Sequence, residues 1–262
     1  SPMSRGLGDV YKRQVVAIDP SSGELLAIAS APSFDPNILS GRDYSKNYRN
    51  LQLDTLKPIY NRALTATYPP GSMFKLIQAL IGLEENVVSK EDQIYVDLSR
   101  IGDLAPAGIY DLNKAIVNSS NNYFHMLFRK LINQKRDNNT FIDSRIGLDR
   151  WSEYVKKFGL GSDLDFDISN MSSGFVPSSE YYDGFYGKGR WKFSNIYSLS
   201  IGQGELLVTP IQMANFASII ANRGYYYNPN IVTHINGKKT SNNQRKYLDL
   251  SLIHISEPTR HR

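Results

Sequence analysis

Tyr68-Pro69-Pro70-Gly71-Ser72-Met73-Phe74-Lys75 is the stretch that decides how this chain is read. Two prolines and a glycine stop whatever precedes them. Met73-Phe74-Lys75-Leu76-Ile77-Gln78-Ala79-Leu80-Ile81 then continues as an apolar helix, expected over about residues 72–85 with Gly82 tolerated inside it. Residues three apart share a helical face, so Ser72 Oγ and the Lys75 amine can meet. A serine hydroxyl is a weak nucleophile until a base takes its proton, and a buried lysine with a lowered pKa is such a base. The bland alternative is an N-cap serine beside an exposed lysine, because Ser-x-x-Lys recurs by chance. The Pro-Pro-Gly prefix and the apolar run behind it favour a nucleophile with its base.

Working outward, Ser119 follows Ser72 by 47 residues inside Asn118-Ser119-Ser120-Asn121-Asn122-Tyr123-Phe124. This stretch is expected to join two helices, one capped by Asp111 and running to Val117, the other from about Asn122 to Asn133. A second hydroxyl beside Lys75 can relay a proton to a leaving amine, and an amide can hold a substrate carbonyl. Taken alone, Ser and Asn are turn formers; the preceding Ser-x-x-Lys is what favours chemistry.

Val15 to Pro20 and Glu24 to Ser30, around Ser21-Ser22-Gly23, read as a β-hairpin. Residues 31–66 read as polar and irregular, with a turn at Asp35-Pro36-Asn37. Residues 86–110 read as loop with one strand near Ile94-Tyr95-Val96, and 134–139 as a surface excursion. Leu148, Trp151, Tyr154, Val155 and Phe158 keep helical spacing up to a left-handed cap at Gly159. Residues 161–195 read as a long loop lining a cleft, in which Trp191 suits either a groove or packing. Thr209-Pro210-Ile211-Gln212 is a capping box with proline at the first helical position, and Ile211, Ala214, Ala217, Ile220 and Ala221 would line one side of that helix. Tyr225-Tyr226-Tyr227 suits an edge strand. Strands at both ends and helices between them make an α/β chain.

The 262 residues, 41% hydrophobic, suffice for a sizeable core, and no apolar run is long enough to span a membrane. No cysteine is present, so disulfides and thiolate metal sites are excluded. His125 reads as a packed or surface residue, no histidine pair has metal spacing, and Asp163, Asp165 and Asp167 lack the glycine and final glutamate of a calcium loop. No metal and no cofactor are expected. Ser1 to Gln14 and Leu250 to Arg262 resemble translated sequencing-adaptor sequence and are set aside as probable non-native tails, leaving 15–249 as a partial domain. The tails carry three of the five net positive charges, and the remaining body makes no case for a nucleic-acid partner.

With these motifs in order, the chain resembles the transpeptidase domain of class B penicillin-binding proteins, of the elongation type. The resemblance rests on Val16 to Ala27, Asp35-Pro36-Asn37, Asn61-Arg62-Ala63, Tyr68 to Lys75, Ser119 to Phe124, Phe158 to Gly161 and Ile201 to Gln212. It implies an α/β fold shared with serine β-lactamases, in which a five-stranded antiparallel sheet packs between helices. It also implies a serine acyl-enzyme, with Ser72 acylated by a stem peptide ending in D-Ala-D-Ala and passed to a neighbouring amine during peptidoglycan cross-linking. β-Lactams would acylate the same serine. Lys75 would be the general base, Ser119 a proton relay and Asn121 the substrate holder, with Gly202, Gln203 and Gly204 also at the substrate and the Ser72 amide in the oxyanion hole. Ser120-Asn121-Asn122 is an alternative frame; the Ser119 frame puts Tyr123-Phe124 at the family's offset. The resemblance further implies an inner-membrane anchor, a domain facing the periplasm, and a membrane glycosyltransferase as partner.

One departure is plain. The family's third motif, Lys-Thr-Gly or Lys-Ser-Gly on a strand facing the serine, is absent; Lys239-Thr240-Ser241 comes nearest and reads as a polar turn. The chain is therefore expected to be truncated at both ends and inactive, with a bare sheet edge that invites aggregation. The alternatives are a serine β-lactamase, for which no water-activating glutamate is evident, and a β-lactam sensor module.

Overall fold

The computed structural model describes residues 12–168, 170–239 and 244–250. The chain opens with the antiparallel hairpin β1 (Arg13–Ile18) and β2 (Leu25–Ala31). Pairing begins at Arg13 against Ala31, so Arg13 and Gln14 belong to the ladder, two residues before the expected start. A 3₁₀ turn over Pro36–Leu39, capped by Asp35, precedes α1 (Tyr44–Leu53). That helix was not expected: none of its residues is buried, so no apolar stripe marks it in the sequence.

A 3₁₀ turn at Gly71–Phe74 leads into α2 (Lys75–Glu84), followed by the small ladder of β3 (Ile94–Val96) with β4 (Gly108–Tyr110). Next come α3 (Leu112–Val117), α4 (Asn121–Ile132) and α5 (Thr140–Lys157). Each starts where a short polar side chain takes an orphan backbone N–H: Asp111 from Lys114, Ser120 from Tyr123, and Asn139 from Phe141. The stretch 161–195, expected as one long loop, contains α6 (Ser179–Tyr186) and the start of α7 (Phe193–Ile196), and a 3₁₀ turn over Tyr197–Ile201 follows it. Aromatic packing orders it. Trp191 is fully buried against Tyr182 and donates Nε1–H to Asp183 Oδ1 at 2.8 Å, which gives it a packing role.

α8 (Pro210–Ala221) has the expected capping box, Thr209 and Gln212 exchanging bonds at 3.4 and 3.0 Å. Its inward face differs from the expected one. Ile211, Gln212, Asn215, Phe216, Ser218 and Ile219 are buried, while Ala217 and Ile220 face out. The buried polar residues explain the shift: Gln212 Nε2 donates to the carbonyls of Ser162 and Ser173 at 3.0 and 2.8 Å, which turns the helix. β5 (Tyr225–Tyr227), β6 (His234–Ile235), β7 (Lys238–Lys239) and β8 (Arg245–Tyr247) close the chain, β5 pairing with β8 and β6 with β7.

Where the resemblance implies one five-stranded sheet, the described residues form four separate two-stranded antiparallel ladders. Lys239 pairs in the β6–β7 ladder rather than lying in a turn, and Thr240 and Ser241 lie outside the described residues. The main core packs α2 against α4 and α5 through Phe74, Ile77, Leu127, Phe128 and Trp151. Gly82 belongs here for close approach: a Cβ on it would stand 2.8 Å from Leu127 Cδ1. A smaller core joins Leu64, Leu164 and Ile211 to Val16, Ile18, Leu25 and Ile28 of the hairpin. α8 therefore spans both cores, since its Phe216 and Ile219 belong to the larger one.

Candidate active site

Ser72 sits in the 3₁₀ turn that opens α2, and its side chain is exposed. The turn is braced from behind. Gly71 N–H donates to Gly202 O at 2.8 Å, and Tyr68 and Val208 exchange two backbone bonds of 2.9 Å. Gly202 has φ +70°, and a Cβ there would strike Phe74 Cβ and the Gly71 carbonyl. Glycine is thus required on two counts, conformation and space. The Ile201 to Val208 segment is a brace for the nucleophile turn, while Gln203 and Gly204 of the same segment are exposed.

Lys75 is only 2% exposed. Its Nζ donates to Ser119 O at 2.6 Å, Ser119 Oγ at 3.0 Å and Asn121 Oδ1 at 2.6 Å. An ammonium has three donors, and all three are used here. No hydrogen bond joins Nζ to Ser72 Oγ, so the direct meeting expected from helical spacing is replaced by contacts with the α3–α4 junction. Burial pushes the amine down to about 8, against an opposing pull from the Asp103 carboxylate. None of the three acceptors carries a charge, so nothing in contact offsets the cost of a buried cation.

The junction is built residue by residue. Ser119 adopts a left-handed φ of +50°, which turns both its carbonyl and its hydroxyl toward Lys75. Asn121 Nδ2 donates to Gly102 O at 2.7 Å, leaving Oδ1 aimed at the amine. Ser120 has a different job. It is fully buried, caps α4 and donates Oγ–H to Asp103 Oδ2 at 2.9 Å. The Ser119 frame therefore faces Lys75, and the Ser120 frame is a helix cap.

Sequence reading missed Asp103. Its Oδ2 also accepts the Asn122 N–H at 2.8 Å, so it pins the start of α4 to the 101–103 loop. Burial alone would raise its carboxyl; the amides of Asn122, Ala105 and Asn121 and the Ser120 hydroxyl hold it below the usual range. It lies in a stretch without periodicity, and only its contacts 17 to 19 residues away reveal it. Among the described residues no cluster of His, Asp and Glu could hold a metal ion, and no helix is long and apolar enough to cross a membrane.

A buried, depressed lysine amine, a hydroxyl in contact with it, and an exposed serine one turn away form an acyl-transfer constellation. Comparison with known proteins bears on the family of the chain. The family model described as penicillin binding protein transpeptidase domain matches residues 14–254. The peptidoglycan D,D-transpeptidase MrdA of Acinetobacter baumannii is 31% identical over 239 residues, covering 86% of this chain and 33% of that protein. A Pseudomonas aeruginosa PBP2 structure in complex with WCK 5153 superposes with a TM-score of 0.74 at 30% identity, over 92% of this chain and 53% of that one. A chain of a peptidoglycan synthase complex that coordinates polymerization and crosslinking superposes with a TM-score of 0.75 at 26% identity, over 93% and 40%. The chain spans about a third to a half of the length of the curated relatives it matches. With the family model matched over residues 14–254 and the fold shared along nearly the whole chain, this protein belongs to the penicillin-binding protein transpeptidase domain family.

Proposed function

We propose that this chain carries the acyl-transfer site of a peptidoglycan D,D-transpeptidase of the elongation type. One observation supports it most: Lys75 is buried with no charged partner in contact, and its amine is bonded to Ser119 and Asn121. Ser72 Oγ attacks the carbonyl of the penultimate D-Ala of a stem peptide and its proton passes to Lys75 Nζ. The C–N bond to the terminal D-Ala breaks, and that amine leaves with a proton. The amine of a neighbouring stem peptide then attacks the Ser72 ester, forming the cross-link and releasing the serine.

Lys75 must be neutral to accept the proton, and a neutral amine has two donors and one lone pair. Of its three partners only Ser119 Oγ carries a hydrogen and can reverse its bond, which makes Ser119 the relay. Asn121 holds the substrate carbonyl, and of the Gly202-Gln203-Gly204 segment only Gln203 and Gly204 are exposed enough to flank the substrate, Gly202 being buried behind the Ser72 turn. The Ser72 amide, at the start of its turn, is an oxyanion donor, a role that contributes on the order of 3 kcal/mol. Solved relatives described as acyl-enzyme complexes with β-lactams extend the proposal to β-lactams as acylating ligands, and the family resemblance extends it to a membrane glycosyltransferase as partner and to the periplasmic face of the inner membrane.

No Lys-Thr-Gly or Lys-Ser-Gly triplet occurs in the 262 residues, so acylation by this chain alone is expected to be slow or absent. The test is intact mass after incubation with benzylpenicillin, beside Ser72→Ala. The same measurement is made on a fusion that supplies the Lys-Thr-Gly segment of a relative. An adduct on Ser72 in the fusion, lost in Ser72→Ala, is the expected result. An adduct that persists in Ser72→Ala, or none on the folded fusion, sinks the proposal. An adduct that vanishes within minutes points to hydrolysis instead.

A further inference from the structure

Residues 119–122 alternate between two neighbours. Ser119 and Asn121 turn to Lys75 Nζ, while Ser120 and Asn122 turn to the 101–103 loop. Three consecutive loop residues take part. Ile101 exchanges two bonds with the Asn122 side chain, its N–H donating to Oδ1 at 3.2 Å and its carbonyl accepting Nδ2–H at 2.8 Å. Gly102 O accepts Asn121 Nδ2–H at 2.7 Å. Asp103 Oδ2 accepts the Ser120 hydroxyl at 2.9 Å, the Asn122 N–H at 2.8 Å and Asn122 Nδ2–H at 3.2 Å. Its other oxygen accepts the Ala105 N–H at 3.1 Å, so the carboxylate is held in one orientation.

The half of the junction that meets the amine depends on the half that meets the loop. Ser119 has φ +50°, a conformation that a residue with a side chain keeps only where its surroundings hold it. Its carbonyl and hydroxyl are two of the three acceptors on Lys75 Nζ. Ser120 and Asn122 are both fully buried, so water cannot replace the bonds that they give to Asp103. Around the amine stand Ser119, Asn121 and, 5.9 Å away, the Phe124 ring, none of them charged. The Asp103 carboxylate behind them is the charge that pulls on the amine, against the effect of burial.

We propose that Asp103 is a positioning residue of the acyl-transfer site: by holding Ser120 and Asn122 it keeps the Ser119 hydroxyl and the Asn121 amide on the Lys75 amine. The inference deepens the transpeptidase reading above and rests on it. Asp103 touches neither substrate nor reacting atoms. It acts through its bonds to Ser120 and Asn122, the neighbours of the two side chains that meet the amine. Without it the junction loses its grip on the 101–103 loop, and the relay hydroxyl drifts from Lys75, a misplacement that costs rate rather than binding. The carboxylate also acts on the amine through its charge. Its removal takes away a pull that favours the ammonium, so the amine then titrates below about 8.

Two readouts separate positioning from support of the fold. The pH titration of the Lys75 ε-methylene resonances is followed on the chain as it stands. Benzylpenicillin labelling of Ser72 is followed against concentration in the fusion that supplies the Lys-Thr-Gly segment. Asp103→Ala is expected to lower the limiting labelling rate about 10- to 100-fold, with the half-saturating concentration little changed. Asp103→Asn keeps an acceptor oxygen for Ser120 and Asn122 and should recover most of that rate. In both variants the Lys75 titration should move to lower pH than in the parent. An Asp103→Ala chain that melts earlier but, while folded, labels at the parent rate with the parent titration overturns the proposal and leaves Asp103 a support of the fold. If Asp103→Ala does not fold, Asp103→Asn decides, and an unmoved Lys75 titration there overturns the proposal. A parent fusion that forms no Ser72 adduct is a different failure. It removes the reaction and this role with it, while a Lys75 titration that still shifts in Asp103→Asn keeps the carboxylate's effect on the amine.

Discussion

The two ends of α2 each hold a buried ionisable side chain, and they are treated in opposite ways. Lys75, at the first turn, has three neutral acceptors and no ion pair. Glu85, just past the last turn, is bracketed by Arg136 at 3.3 Å and Arg150 at 2.7 Å, with its side chain 5% exposed. Burial lowers the Lys75 amine to about 8. Burial also works against the Glu85 carboxylate, yet hydrogen bonds from Tyr154, Arg150 and Gln134 hold it below its usual value. One group is kept ready to lose its charge, the other is locked in it. The lesson is that burial alone does not make a reactive group; burial without a counter-charge does.

The comparison breaks most sharply under substitution. Labelling is read in the fusion that supplies the Lys-Thr-Gly segment, where Lys75→Met should cut the rate of Ser72 acylation by about 10²–10⁴-fold, the usual contribution of a general base. It should leave the melting temperature unchanged or higher, because an uncompensated buried charge is removed. Glu85→Ala should do the reverse. Removing one partner of a buried ion cluster costs about 3–5 kcal/mol, reduced toward about 2 here because Arg136 and Arg150 can reach water. Thermal melts and penicillin labelling, run side by side on both variants, check the crossing. If Lys75→Met is the more destabilised of the two, the contrast fails.

A pH profile sharpens the Lys75 half. The folded amine titrates near 8, below its ordinary 10.5. Acylation should therefore rise with pH through about 8 and level off above it. Stability follows the same group with the sign of a depressed lysine. Between about 8 and 10.5 the unfolded chain binds the extra proton, so the folded state gains stability as pH rises through that window. A labelling rate flat from pH 6 to 9 would falsify the assignment of Lys75 as base.

The adjacent serines give a finer cut. Ser119→Ala removes the hydroxyl on the amine and should slow acylation about 10- to 100-fold at unchanged stability. Ser120→Ala removes the α4 cap and the Asp103 bond, costing about 1 kcal/mol of stability with a smaller rate effect. The smallest effect belongs to Arg150→Ala. Its side chain is 54% exposed, and a half-exposed pair contributes under about 1 kcal/mol. A loss as large as that of Glu85→Ala would mean that Arg150, not Arg136, carries the cluster.

What was legible in advance follows from the range of the interactions involved. Caps and turns are local, so Asp111, Thr209-Pro210-Ile211-Gln212, Gly159 and the β1–β2 turn were readable from neighbouring residues alone. The Ser72, Lys75 and Ser119 motifs were legible as candidates because acyl-transfer chemistry calls for particular residue types, Ser72 and Lys75 at helical spacing. The inward face of α8 was not, because Gln212 and Asn215 are buried by partners that only the fold brings near. α1 was invisible for the opposite reason, having no buried face to imprint a pattern.

By itself the sequence determined the α/β class, the capped starts of α3 and α8, and the family, and it singled out Ser72 and Lys75 as candidates for a nucleophile and its base. Tertiary structure alone decided that Lys75 faces Ser119 and Asn121 rather than Ser72, that Ser120 is bonded to Asp103, that Asp103 anchors the junction, and that Gly202 braces the serine turn. Each of these rests on contacts between residues 17 to 131 positions apart. A side chain's protonation and direction are set by the atoms that surround it in space, and chain order carries no record of those.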